Sequence, residues 1–149
     1  MIGRLHHLII DVPDPAALGR FYAELLGLPV TYESDDFVVI ARNDTTSGIA
    51  FQRAPDLRAP RWPDPEWPQQ FHIDVMVDDG AVARPKVLAL GARPLEVEED
   101  GYGVYADPAG HPFCLIRRPG WAPPIHPPVA GHQGDPAAGR SGTAGQTRS

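Results

Sequence analysis

One feature constrains this 149-residue chain more than any other: it repeats itself. Laid over itself at an offset of 65, His7 meets His72, Val12 meets Val77, Asp14 meets Asp79 and Ala16 meets Ala81. Gly27 and Gly91 match after one deleted residue, and Phe51-Gln52 falls on Phe113-Cys114. Scattered identities arise by chance. Identities that recur together with the order of elements mark a duplicated unit.

The order of elements does recur. Leu5–Val12 is an apolar run rich in Ile and Leu, which suits a strand. Pro13-Asp14-Pro15 turns the chain, and Asp14 stands where a helix cap is wanted. Leu18, Phe21, Tyr22 and Leu25 follow at helical spacing, so Phe21 and Tyr22 are expected in the core. Gly27 closes the helix and Pro29 bars its continuation. Val30–Glu33, Phe37–Ala41 and Ile49–Arg53 then read as three strands. The second half spells the same word: a strand at Phe71–Val77, a helical segment, then strands at Pro94–Glu98, Gly103–Ala106 and Pro112–Arg117. Pro85 disturbs the second helix, because an interior proline costs about 3 kcal/mol. The expected escape is a start near Arg84, with Pro85 in the first turn and 80–83 irregular.

Proline and glycine mark what lies outside the repeat. Residues 54–68 carry five prolines together with Trp62 and Trp67, a stiff linker without regular structure. The two tryptophans either wall a ligand site or pin the linker to the domain. Residues 119–149 hold twelve prolines and glycines and few large aliphatics. Disorder is expected from about residue 120, with His126 and His132 solvated. The division expected is a folded body at 1–118 and a disordered tail at 119–149. Within the body, module 1 spans 4–53, the linker 54–70 and module 2 71–118.

Composition excludes several classes. Cys114 is the single cysteine, so no intramolecular disulfide forms. No apolar run nears the ~18 residues that would span a bilayer, and Met1–Leu5 lacks a signal-peptide core. A cytoplasmic protein without membrane contact is expected. The formal net charge of -6 argues against a nucleic-acid partner. Phosphate-binding glycine loops and the Gly-x-Ser-x-Gly elbow are missing.

The segments His7–Asp14, Phe21-Tyr22, Leu26-Gly27, His72–Asp79, Leu90–Ala92 and Asp107–Phe113 resemble the vicinal oxygen chelate superfamily. That group includes glyoxalase I, bleomycin-resistance proteins and extradiol dioxygenases, and the glyoxalase-like subset is the nearest likeness. The resemblance covers residues 4–118. It implies an α+β fold of two βαβββ modules, whose eight strands make a U-shaped, partly open barrel around a cleft. A homodimer is implied too. In metal-using members four side chains, from the first and last strands of each module, hold a divalent ion. Carried over, those positions are His7, Gln52, His72 and Cys114, with Ala50 the other register for Gln52.

This donor set departs from the family's His and Glu pattern. A thiolate would favour zinc or another soft ion over a harder one, and an amide oxygen is a weak ligand. Each residue also has a plainer reading. His7 and His72 would line a polar cleft, Cys114 would be a small buried hydrophobe, and Gln52 an ordinary strand residue. Asp11 and Asp74 share the face of the two histidines by period two and are the candidate cleft carboxylates. His6 falls on the opposite face, and His111 reads as structural.

Three functions follow as expectations. The first is a binding protein that holds a small organic molecule in the cleft, with or without metal, by sequestration or sensing. The second is an enzyme using one divalent ion (Zn, Ni, Mn or Fe) as a lyase, isomerase or ring-cleaving dioxygenase. The third is an interaction module acting through the proline-rich tail.

Overall fold

The computed structural model describes residues 1–125. The expected disordered stretch beyond Ile125, with His126 and His132, lies outside the described residues, as does most of the tail invoked by the third functional reading. The chain runs β1 (His7–Val12), α1 (Pro15–Leu26), β2 (Val30–Glu33), β3 (Phe37–Ile40), β4 (Gly48–Arg53), β5 (Ile73–Val77), α2 (Gly80–Ala89), β6 (Arg93–Val97), β7 (Gly103–Ala106) and β8 (Pro112–Arg117). This is the α+β, twice βαβββ architecture that the repeat implies.

Each module makes its own four-stranded mixed sheet, ordered β1-β4-β3-β2 and β5-β8-β7-β6. The first and last strands of a module run parallel and the rest are antiparallel. Among the described residues no strand pairing joins the sheets, so the eight strands do not close into a barrel.

Strand alternation sorts side chains to two faces. In module 1, Ile10, Val12, Val38, Ile40 and Phe51 are buried on the helix side. In module 2, Val75, Tyr105, Phe113 and Leu115 take that role. Helix α1 covers the first set through Leu18, Phe21 and Tyr22. Phe21 and Tyr22 are core residues, as their spacing predicts. They also reach module 2: both rings meet Phe113 edge-on, at centroid distances of 5.8 and 6.4 Å. The opposite faces carry His7, Ile9 and Asp11 in one sheet and Asp74 and Cys114 in the other; these side chains are exposed or half-buried, while Ala50 and Val39 beside Ile9 are buried.

Both helices start on the expected caps. Asp14 accepts from the N–H of Ala17, and Asp79 from that of Val82. Gly27 ends α1 in the left-handed region, at φ 64°, where a Cβ would be disfavoured. The second helix corrects one expectation. It begins at Gly80, not near Arg84, and Pro85 lies inside it. The Asp79 cap fixes the first turn, and Val87 is buried in the core with Ala83 and Leu88 packed against it; cap and packing together hold the helix despite the bond to Ala81 that proline cannot make.

After β8 the chain turns back on module 2. Arg118 pairs with Asp78 and donates to the Ala122 carbonyl, while the Ile125 N–H donates to Asp78 at 2.9 Å. Ala122 is buried there.

Candidate functional site

Strand register decides which side chains can meet. Val12 and Val77 each stand two residues before a helix cap and pair with Arg53 and Arg117. Counting back from these pairs, Asp74–Cys114 occupies in module 2 the place that Ile9–Ala50 occupies in module 1. On this register the position matching Cys114 is Ala50. Gln52 instead faces Asp11, one rung further along. Asp11 and Asp74, the two candidate cleft carboxylates, stand on different rungs.

Followed across each sheet, these rungs differ in chemistry. In module 1 the rung is Ile9, Ala50, Val39 and Tyr32, apart from the phenol wholly apolar. In module 2 it is Asp74, Cys114, Val104 and Glu96, largely polar. One module thus offers a surface for an apolar body, and the other offers acids and a thiol.

The polar rung gathers the only group of three or more potential metal ligands among the described residues: His72, Asp74 and Cys114. One donor atom from each lies within 4.8 Å of the others. His72 Nε2 is 3.5 Å from Asp74 Oδ1, and both side chains are about half exposed. Burial raises the Cys114 thiol above its ordinary pKa, and the charge of Asp74 and a hydrogen bond to it push further in the same direction. Without a cation, Cys114 is therefore a neutral thiol donating to Asp74. A metal would have to displace that proton. His7 stands outside this group.

His7 is held differently. The Gly48 N–H donates to its Nδ1 at 3.2 Å. Partial burial, then the neighbouring His6, lower its pKa, so the ring is neutral at neutral pH. With Nδ1 accepting, the proton of the neutral ring sits on Nε2. Metal-binding histidines usually do the reverse, donating from the far nitrogen to a second partner. His7 thus presents a hydrogen-bond donor, and Ala50 presents no ligand atom at all. In this arrangement the three potential ligand atoms that lie together belong to module 2.

A cavity of about 660 Å³ opens on the module 1 face. His7, Ile9, Tyr32, Phe37 and Val39 line it, with Asn43, Asp44 and Thr46 of the β3–β4 loop; His6, expected on the opposite face, also borders it, because it precedes β1 and is not bound by the strand's alternation. The volume falls in the ~300–1,000 Å³ range typical of small-molecule pockets. Trp62 donates from Nε1 to Glu96 Oε2 at 3.3 Å, which ties the linker to the end of the polar rung. Trp67 packs within the linker, with the Arg61 guanidinium 4.3 Å and that of Arg58 5.9 Å from its ring centre. Neither tryptophan lines the large cavity. Asp11 opens instead onto a smaller cavity beneath the linker.

Residues 7–116 match the family model of the glyoxalase-like domain. The chain belongs to that family, which includes both enzymes and binding proteins. Solved structures agree on the fold. The trypanothione-dependent glyoxalase I of Leishmania major is 18% identical, with a TM-score of 0.55 over 77% of this chain and 86% of that one. A possible glyoxalase from Bacillus cereus is 16% identical, with a TM-score of 0.56 over 78% and 99%. A glyoxalase/bleomycin resistance protein/dioxygenase family enzyme from Burkholderia phytofirmans PsJN is 18% identical, with a TM-score of 0.54 over 76% and 97%. No curated protein matches by sequence. Among the described residues, no helix is long and apolar enough to cross a membrane.

Glu96, Tyr32, Phe37 and Val39 were not singled out by the sequence. Their place in the site comes from strand pairing over tens of residues, and nothing local marks it.

Proposed function

We propose that this protein binds a small organic molecule against the open face of module 1, and that this face needs no metal to do so. The observation that carries the reading is the state of His7. Its Nδ1 is occupied by the Gly48 N–H, so Nε2 offers a donor at the mouth of a cavity walled by Ile9, Tyr32, Phe37 and Val39. That lining suits a flat or aliphatic body bearing one acceptor. The biology would be sequestration or sensing.

The test is an NMR screen of flat acceptor-bearing molecules, such as quinones and aromatic aldehydes, against metal-stripped protein. Saturable shifts at Ile9, Tyr32 and Val39 are expected, with Ile9→Asp lowering the affinity at least about tenfold. Binding that appears only after a divalent ion is restored, or shifts confined to module 2, would reject it.

A second reading has its own observation, the grouping of His72, Asp74 and Cys114. Here these three hold one divalent ion, zinc best suiting the thiolate, and leave a position open for substrate. The ion would supply Lewis-acid chemistry for a lyase, isomerase or ring-cleaving dioxygenase. Metal analysis after dialysis against Zn, Ni, Mn and Fe separates the readings: one stoichiometric ion lost in both His72→Ala and Cys114→Ala supports this second one. A homodimer fits either reading, since the apolar and polar rungs lie on separate sheets and a second copy can bring them face to face. Sedimentation velocity checks the stoichiometry. A cytoplasmic setting is part of the same proposal.

A further inference from the structure

The smaller cavity, about 210 Å³, lies under the linker beside β1. Ile9 borders both it and the larger cavity. Its polar lining is Asp11, Arg58, Gln70 and His111; Leu57 and Phe71 are among its apolar walls. Among the described residues, Asp11 and Arg58 make no ion pair with each other or with any other group. The Trp67 ring, 5.9 Å away, is the one recorded partner of the Arg58 guanidinium. Two opposite charges therefore share a cavity without meeting.

His111 forms the buried polar end of this cavity. It is 6% exposed, and its ring lines the cavity. Its Nδ1 is buried without a hydrogen bond. Asp107 Oδ2 lies 3.3 Å from it, within ion-pair range, while also accepting from the Tyr22 hydroxyl.

We infer that this cavity binds a small zwitterion, an α-amino acid with an aliphatic side chain. The carboxylate meets Arg58, the ammonium meets Asp11, and the aliphatic body rests on Ile9, Leu57 and Phe71. Gln70 and His111 supply further hydrogen bonds. A simple anion would be repelled by Asp11 and a simple cation by Arg58, so a ligand carrying both charges is the one the pair selects. The cavity lies below the ~300 Å³ at which pockets for drug-sized ligands begin, which agrees with a small occupant. The inference stands apart from the function proposed for the larger cavity.

The test uses the full chain and three probes: L-valine, 3-methylbutanoate, which lacks the ammonium, and 2-methylpropylamine, which lacks the carboxylate. NMR titration is expected to show saturable, millimolar-range shifts at Ile9 and Phe71 with L-valine, and binding at least about tenfold weaker for each analogue. Asp11→Asn and Arg58→Met are each expected to weaken L-valine at least about tenfold with the thermal midpoint unchanged, since both side chains are exposed and neither makes an ion pair. No saturable binding of L-valine overturns the inference. So does an analogue that matches it, or a variant that keeps wild-type affinity.

Discussion

Asp107 is wholly buried, yet it is a carboxylate. It survives there because three protein donors serve it: the Tyr22 hydroxyl at 3.0 Å and the N–H groups of Ala109 and His111 at 2.9 and 3.0 Å. Tyr22→Phe removes the one side-chain donor and leaves the buried carboxylate short of it. We expect a loss of about 1.5–3 kcal/mol in urea denaturation. A pH signature accompanies it. Burial first, then the charge of Asp107 and the bond to it, raise the Tyr22 pKa well above its ordinary value. The unfolded tyrosine ionises near ~10, so the stabilisation is intact below that and falls as pH climbs above it. Above pH ~10 the wild type should lose stability faster than Tyr22→Phe, by a margin approaching about 1.4 kcal/mol per pH unit. Equal slopes would show that Tyr22 is not held neutral. Much at this scale was legible. The spacing of Phe21 and Tyr22 put them in the core. What Asp107 does was not legible, because its hydroxyl partner stands 85 residues away.

Among the elements, strands and caps were readable because their signals are local. Val30–Glu33, Gly103–Ala106 and Pro112–Arg117 have the expected limits, and both capping aspartates act as such. Pro85 misled because proline is a strong local signal that a cap and core packing together can override. That contest makes a prediction. Pro85→Ala restores the bond to the Ala81 carbonyl and should raise stability by up to about 3 kcal/mol. Asp79→Ala removes the cap and should lower it by about 1 kcal/mol. Amide exchange along α2 reads both: slower in the first variant, faster in the second. Unchanged exchange in Asp79→Ala would mean that packing alone sets where α2 begins. Register, unlike element limits, was only half legible. Sequence matching laid Gln52 on Cys114 because Phe51 and Phe113 invite it, whereas the paired strands set Ala50 there. A shift of two residues preserves the alternation of faces, so the hydrophobic pattern cannot detect it.

For the molecule as a whole, the absence of any strand pairing between the sheets raises the question of what makes two modules one body. The aromatic residues answer it. Tyr22 of α1 stacks on Phe51 of its own sheet at 5.6 Å and meets Phe113 of the other. Phe113 in turn stacks on Tyr105 at 5.7 Å. These rings are fully buried and belong to a single hydrophobic cluster drawn from both halves. Neither module would keep Phe113 or Tyr22 dry alone, because each ring uses the other half as its cover. The chain should therefore unfold in one step. Far-UV circular dichroism, which follows both sheets, and the fluorescence of Trp62 and Trp67 should give the same urea midpoint. Phe113→Ala, a module 2 substitution, should cost about 3–5 kcal/mol and destabilise β1–β4 as much as β5–β8. Amide exchange of Ile10 and Phe51 makes that visible, since both lie in module 1 and at the centre of its buried face. If those amides keep wild-type protection while Leu115 and Val75 lose theirs, the modules are energetically separate and the shared aromatic cluster does not couple them.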